Sequence, residues 1–256
     1  MQLPLSRAVA PHLELVPEAG STNAELAGRA SVLPHFAALA TTNQTAGKGR
    51  LGRVWIAPPG KTIAVSVLLK PGAVPLQALG WLPLLAGVAM TEAVRALVPG
   101  HEVTLKWPND VHVDGRKVSG LLSEYVPAAQ AVVVGAGLNL TVSADELPTA
   151  TSTSLTLNGT PESGIVDVAL SGYLRALEQH YRQFAAAGFD AEPALRAVVT
   201  RECSSLGRSV RVELPAASDL YGVAESIDER GRLVVRDTAG IRHRVSAGDV
   251  THLRYE

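Results

Sequence analysis

The run Val111-His112-Val113-Asp114-Gly115-Arg116-Lys117-Val118 leaves a folding chain few choices. Asp-Gly between two apolar alternations is the strongest short signal for a β-hairpin. Upstream, Val103, Leu105 and Trp107 alternate with Thr104 and Lys106 and predict a strand that Pro108 stops. Downstream, the returning strand continues through 118–125, and the very apolar stretch 131–140 reads as a central strand. Further strands are expected at 36–42 and, from the alternation of Ile63, Val65, Val67 and Leu69, after it.

Helices are expected around this sheet. Thr22 with Glu25 three residues on reads as a capping box, with Leu26 opening the apolar side. Pro75 begins a mostly apolar helix to about Val98. Leu170, Leu174, Leu177, Tyr181 and Phe184 recur at helical spacing in a helix ending at Gly188, and a second helix is expected over 191–200. The intervening stretch 145–164 is polar and reads as a long surface connection. From Gly207 onward short strands crowd together between turns at Asp228-Glu229-Arg230-Gly231 and Thr238-Ala239-Gly240. The expected class is therefore α+β: a mixed β-sheet packed by helices over 1–205, then a small SH3-like β-barrel over 206–256.

Chemistry concentrates in Gly47-Lys48-Gly49-Arg50-Leu51-Gly52-Arg53-Val54-Trp55. Glycine lets backbone come close to a ligand, and amides exposed in such a turn can cradle an anion. Lys48, Arg50 and Arg53 supply full charges for a phosphate, and Trp55 a flat face for a purine. Two familiar phosphate motifs are excluded. Gly60-Lys61-Thr62 imitates the end of a P-loop, but Trp55 stands where that motif requires glycine. The Gly47 run also leads into an extended segment rather than a helix, so it is no dinucleotide turn.

The net charge of −1 gives no general field for polyanions, so phosphate affinity must be local. Cys203 is the only cysteine, which excludes an intrachain disulfide and suits a reducing compartment. The first residues carry no signal-peptide pattern. The longest apolar stretch, 79–90, falls short of the ~20 residues of a membrane span. A soluble cytoplasmic protein is expected, without membrane contact. The histidines show no metal-ligand spacing.

A second polar group follows in Lys106-Trp107-Pro108-Asn109-Asp110, where Pro108 should turn Asn109 and Asp110 out at a sheet edge or mouth. Lys117 returns across the hairpin and can face the same cleft as Asp110. Cationic loop, indole and a carboxylate able to hold Mg²⁺ suit attack of a substrate carboxylate on the α-phosphate of ATP. That reaction depends on positioning and electrostatic stabilisation more than on an acid–base pair.

These motifs, with Ser21-Thr22-Asn23, Gln44-Thr45-Ala46, Gly115 to Glu124 and Gly135-Ala136-Gly137-Leu138-Asn139-Leu140, occur in the order and spacing of the biotin protein ligases, which the chain resembles over most of its length. The resemblance implies the class II synthetase-like catalytic domain of biotin and lipoate ligases. It implies formation of biotinyl-5′-AMP from biotin and MgATP, then transfer of biotin to one lysine of a biotin carboxyl-carrier domain. In the biotin site it implies Ser21, Thr22 and Gln44 at the ureido head, joined by Asn23, Lys48, Gly49, Arg50, Lys117, Gly120 and Leu122. Lys48, Arg50, Arg53, Trp55, Lys117 and Asn139 would serve ATP and the adenylate, with Trp55 on the adenine. Arg50, Lys117 and Asp110 would be catalytic, with Asp110 also the magnesium ligand.

Two departures bear on that expectation. The family's loop usually reads G-R-G-R, whereas Lys48 holds the first cation here; the charge stays and the planar fork is lost. Some members carry an N-terminal DNA-binding helix-turn-helix, but only about twenty residues precede Ser21, so no DNA role is expected. Two rivals stand beside this reading. Lipoate ligases and octanoyltransferases share the fold, though without these two motifs in this form. A nucleic-acid-binding module is opposed by the near-neutral charge and by aromatics at only 4%.

Overall fold

The computed structural model describes residues 1–55, 58–72, 74–187, 192–214, 219–246 and 248–253. In chain order the first half contains α1 (Pro4–Val9), β1 (Leu13–Leu15), α2 (Thr22–Gly28), β2 (Ala38–Thr41), β3 (Gly47–Lys48), β4 (Val54–Trp55), β5 (Thr62–Leu69) and α3 (Trp81–Leu97). Then follow β6 (Val103–Lys106), β7 (Asp110–Val113), β8 (Arg116–Val126), β9 (Ala131–Asn139), α4 (Ile165–Ala187) and α5 (Glu192–Glu202). The C-terminal strands are β10 (Ser209–Glu213), β11 (Leu220–Ile227), β12 (Leu233–Asp237), β13 (Arg242–Val245) and β14 (Asp249–His252).

Seven strands form one sheet in the order β1-β2-β5-β9-β8-β7-β6. Only β1 and β2 are parallel, so the sheet is mixed, as expected. The hairpin forms where the sequence places it. Asp114 and Gly115 both have positive φ, 47° and 76°, the requirement of the tight turn between β7 and β8.

Alternation along the central strands decides where a ligand can go. Val65, Val67, Val132, Val134, Ala136 and Leu138 face α3 and α4 and form the main core. A second, smaller core under α2 takes Leu26, Leu39, Leu68 and Val133 on the opposite face. Each fully buried aliphatic side chain contributes roughly 1.5–3 kcal/mol by leaving water. Beside that small core the second face bears little bulk, because Gly135 pairs with Ser66, and Gly137 with Ala64 and Gly120. The depression left there is the site.

The C-terminal strands make a five-stranded antiparallel sheet, β13-β12-β11-β10-β14, in agreement with the small barrel expected; the sequence reading omits its last strand, β14. Two buried indoles tie it to the rest of the fold: Trp81 Nε1 donates to the Glu229 carbonyl and Trp107 Nε1 to that of Gly231. Trp107, from the second motif, is thus a structural anchor.

Several expectations need correction. Ser21, not Thr22, caps α2, accepting from the Ala24 amide, while Glu25 reaches back to the Gly20 amide. Thr22 is the first helical residue, and its hydroxyl is spent elsewhere. Pro75 opens a single 3₁₀ turn, and α3 proper begins at Trp81. Leu76–Leu97 does reach the length and hydropathy of a membrane span, but 72% of its apolar window is buried against the sheet and α4, as a core helix requires. The connection after β9 is not wholly superficial either: Ser152, Thr153, Ser154 and Leu155 are buried, because their backbone is stitched to Lys117 and Asn139. The expected helix end at Gly188 and start at Ala191 lie outside the described residues.

Candidate active site

On the glycine-bearing face lies a cavity of about 840 Å³, counted out to its open mouth. Its walls include Ser21, Thr22, Asn23 and Gln44 at one end, and Lys48, Gly49, Arg50, Arg53, Asp110 and Lys117 at the other. Trp55, Gly120 and Leu122 lie among them. Segments far apart in sequence are brought together because α2, the β3–β4 loop and the β7–β8 hairpin all border the same bare patch of sheet.

The floor explains its glycines. A Cβ on Gly137 would stand 2.5 Å from Trp55 Cε2, and one on Gly120 would stand 3.1 Å from Lys117 Nζ and 3.2 Å from Trp55 Cζ3. The indole therefore lies flat on two strands with no side chain beneath it. A Cβ on Gly135 would meet Asn23 Oδ1 at 2.1 Å. Gly47 is fixed likewise, with Gln44 Nε2 and the Trp55 carbonyl each 2.6 Å from where its Cβ would be.

One end of the cavity is uncharged but dense in hydrogen-bonding groups. Gln44 Oε1 accepts from the amide and hydroxyl of Thr22, at 3.0 and 3.1 Å. Ser66 Oγ, fully buried, lies 2.8 Å from Thr22 Oγ1 and donates to Asn23 Oδ1 at 2.6 Å. Asn23 Nδ2 in turn donates to Glu124 Oε2 and the Leu122 carbonyl. Such a chain fixes the amide and hydroxyl orientations, so their remaining donors and acceptors are preorganised for a small polar ligand.

The other end is ionic. Lys117 Nζ lies 2.7 Å from Asp110 Oδ1, an ion pair without the alignment of a hydrogen bond, and 5.9 Å from the Trp55 ring centroid. Lys117 is held from outside the hairpin as well: its amide donates to Thr151 O and its carbonyl accepts from Thr153 N, both at 2.8 Å. Arg50 donates through Nη1 to Asn109 Oδ1 at 3.2 Å and to the Gly248 carbonyl at 3.0 Å. Burial lowers the Arg50 pKa, opposed by the nearby carboxylates of Asp249 and Asp110. Arg53 pairs with Asp249 and, at 3.6 Å, with Glu213. Half-buried cations beside a cavity attract an anion strongly, because they are poorly screened there.

Lys48 is exposed on β3, which pairs with β4 to carry the loop over the mouth. Asn139 does not line the cavity. It lies one step beyond Gly137 on the same face, buried, and its Nδ2 donates to the Thr153 carbonyl at 2.9 Å. Beside the ionic end stands His112, whose Nε2 is buried without a partner and whose pKa is pushed down to about 4, by burial first and then by Lys106.

Sequence reasoning places Asn109 at a mouth without giving it a partner, and misses Ser66, Gly248, Asp249 and Glu213. Ser66 has a legible trace: it is a polar residue inside a strand that is apolar from Ile63 to Leu69 apart from it. The barrel residues have none, since nothing local says that their strand meets a loop some two hundred positions earlier.

Comparison with known proteins agrees with this geometry. Residues 31–139 match the model of the Biotin/lipoate A/B protein ligase family, and 205–253 that of the Biotin protein ligase C terminal domain. The chain is 41% identical to the biotin–[acetyl-CoA-carboxylase] ligase of Mycobacterium tuberculosis, over 94% of this chain and 89% of the relative. It is 32% identical to that of Paracoccus denitrificans, covering 90% and 96%. Among solved structures, the Aquifex aeolicus biotin protein ligase in complex with biotin and ATP superposes with a TM-score of 0.74 at 26% identity, covering 95% of this chain and 99% of that one. The chain belongs to the biotin protein ligase family.

Proposed function

We infer that the protein is an ATP-dependent ligase that activates biotin as biotinyl-5′-AMP and transfers it to a lysine of a biotin carboxyl-carrier domain. The observation that carries this reading is one cavity with a neutral hydrogen-bonding end joined to a cationic end. A cyclic urea needs donors and an acceptor in fixed positions, which Ser21, Thr22, Asn23 and Gln44 offer. The valeryl chain would run past Gly120 and Leu122, with Gly49 leaving room. Its carboxylate then arrives where Arg50 and Lys117 stand.

In the first step a carboxylate oxygen of biotin bonds to the α-phosphorus, and the bond to the bridging oxygen of pyrophosphate breaks. Negative charge gathers on the phosphoryl oxygens, and Arg50 and Lys117 stabilise it, with Lys48 and Arg53 as outer charges. Trp55 packs on adenine, with Asn139 behind it as a partner of the connecting segment. Asp110 lines the cavity with its Oδ1 2.7 Å from Lys117 Nζ, and it is the carboxylate that would help hold Mg²⁺ there once the phosphates supply further oxygens. The metal would neutralise phosphate charge.

In the second step the acceptor lysine's amine bonds to the acyl carbon, AMP leaves, and the amine sheds its proton. Asp110 would orient that incoming lysine. The buried, unpaired Cys203 thiol accords with a cytoplasmic protein. Pyrophosphate release is the test: it should require biotin, ATP and Mg²⁺ together, and lipoate or octanoate should not replace biotin. Release driven by lipoate would transfer the chain to the sister ligases.

A further inference from the structure

The glycine-rich loop does not rest on the catalytic sheet alone. Its two arginines reach the C-terminal barrel: Arg53 is paired with Asp249 and, at 3.6 Å, Glu213, and Arg50 donates to the Gly248 carbonyl at 3.0 Å. All three barrel residues lie where β10 and β14 run side by side, with Glu213 opposite Asp249 in the ladder. Gly248 is obliged to be glycine there, because a Cβ would stand 2.8 Å from Val212 Cγ1 and 3.0 Å from the Glu213 carbonyl. That close approach is what brings its carbonyl within reach of Arg50. Asp249 also forms part of the cavity wall.

We propose that the barrel completes the active site as a latch, with Asp249 a positioning residue that acts through Arg53 to hold the glycine-rich loop closed over the bound adenylate. The proposal rests on the ligase reading of the cavity. Three cations crowded onto a loop with three glycines repel one another and have many open conformations. Asp249 and Glu213 offset that repulsion from outside the ligand site. Arg53 is then occupied by the barrel, and Arg50, pinned at one corner of its fork by Gly248 and Asn109, keeps its charge for the phosphate. The ion pair is partly exposed, Arg53 at 58% and Asp249 at 23%, so each single change should be modest and salt-sensitive.

The test is a charge swap. Wild type, Asp249→Arg, Arg53→Asp and the double variant are charged with biotin and MgATP, and the dissociation rate of biotinyl-adenylate is measured together with amide exchange of residues 47–55. Asp249→Arg sets a third cation against Arg50 and Arg53, so it should release adenylate about tenfold faster and expose the loop amides. Arg53→Asp should do the same. The double variant should release adenylate at least about threefold more slowly than either single variant, since the pair is restored with its poles exchanged, while the Arg53 charge toward the phosphate and its pairing with Glu213 stay lost. Asp249→Asn, which removes charge without adding any, should speed release about three- to fivefold. No recovery in the double variant, or wild-type retention in Asp249→Arg, overturns the latch. Wild type that forms no adenylate from biotin and ATP overturns instead the ligase reading beneath it.

Discussion

The indole of Trp55 lies where a Cβ of Gly137 would stand, 2.5 Å from it at Cε2. Backbone of the central sheet is thereby shaped to one side chain of a loop eighty residues away. Gly137→Ala should push the ring off the floor and away from Lys117. The KM for ATP in pyrophosphate release should rise about five- to tenfold, the cost of losing one good stacking contact of ~1–1.5 kcal/mol. Biotin affinity, measured by calorimetry without ATP, should change far less. An unchanged KM would mean that the indole has no part in nucleotide binding.

Lys117 is the half-buried cation of the ionic end, set 2.7 Å from Asp110 and held by Thr151 and Thr153. Lys117→Ala should slow adenylation by roughly 10²–10³, the usual loss for one transition-state partner. The fold should survive, because the pins on residue 117 are backbone bonds that alanine keeps. Unchanged pyrophosphate release would return the pair to an ordinary salt bridge.

Ser66 is fully buried between Thr22 and Asn23. Ser66→Ala leaves the Asn23 carbonyl oxygen without its donor, a cost of ~1–3 kcal/mol. Part should appear as lost stability and part as biotin affinity weakened about fivefold or more in calorimetry. Retained affinity would show that the uncharged end is not organised through Ser66.

Much of this arrangement is legible in the sequence, and the exceptions share a cause. The Asp114-Gly115 hairpin, the apolar central strands and the helix from Leu170 rest on local periodicity and turn chemistry, and they form where expected. Thirteen of the fourteen site residues border one cavity. Asn139 instead faces the Thr153 carbonyl, because the polar segment after β9 folds back against Lys117. Thr22 looks like a cap but is claimed by Gln44 and Ser66, so tertiary partners override a local propensity. The barrel's contribution at Gly248 and Asp249 depends on contacts across some two hundred residues, and no local pattern encodes those.

Two half-buried imidazoles make stability depend on pH. His112 and His252 are both pushed down from 6.5 to about 4, chiefly by burial, with Lys106 reinforcing it at each. His112 also faces Asp110 and Lys117, and His252 faces Arg208. Unfolding frees both rings to bind protons between pH 6.5 and 4, so the unfolded chain holds more protons in that window. Their contribution is complete above pH 6.5 and is lost as pH falls toward 4. Tm should drop by roughly 3–6 °C between about pH 7 and about pH 5, and by less in His112→Gln. A slope as steep in that variant as in wild type would remove His112 as a source.

The most direct measurement joins both chemical steps. The protein is incubated with biotin, ATP, Mg²⁺ and a biotin carboxyl-carrier domain, and the carrier is weighed by mass spectrometry. It should gain the mass of one biotinyl group, on one lysine, only when biotin and ATP are both present, and Lys117→Ala should gain it far more slowly. A carrier that stays unmodified with the full mixture, or that is modified from lipoate in place of biotin, would contradict the ligase described here.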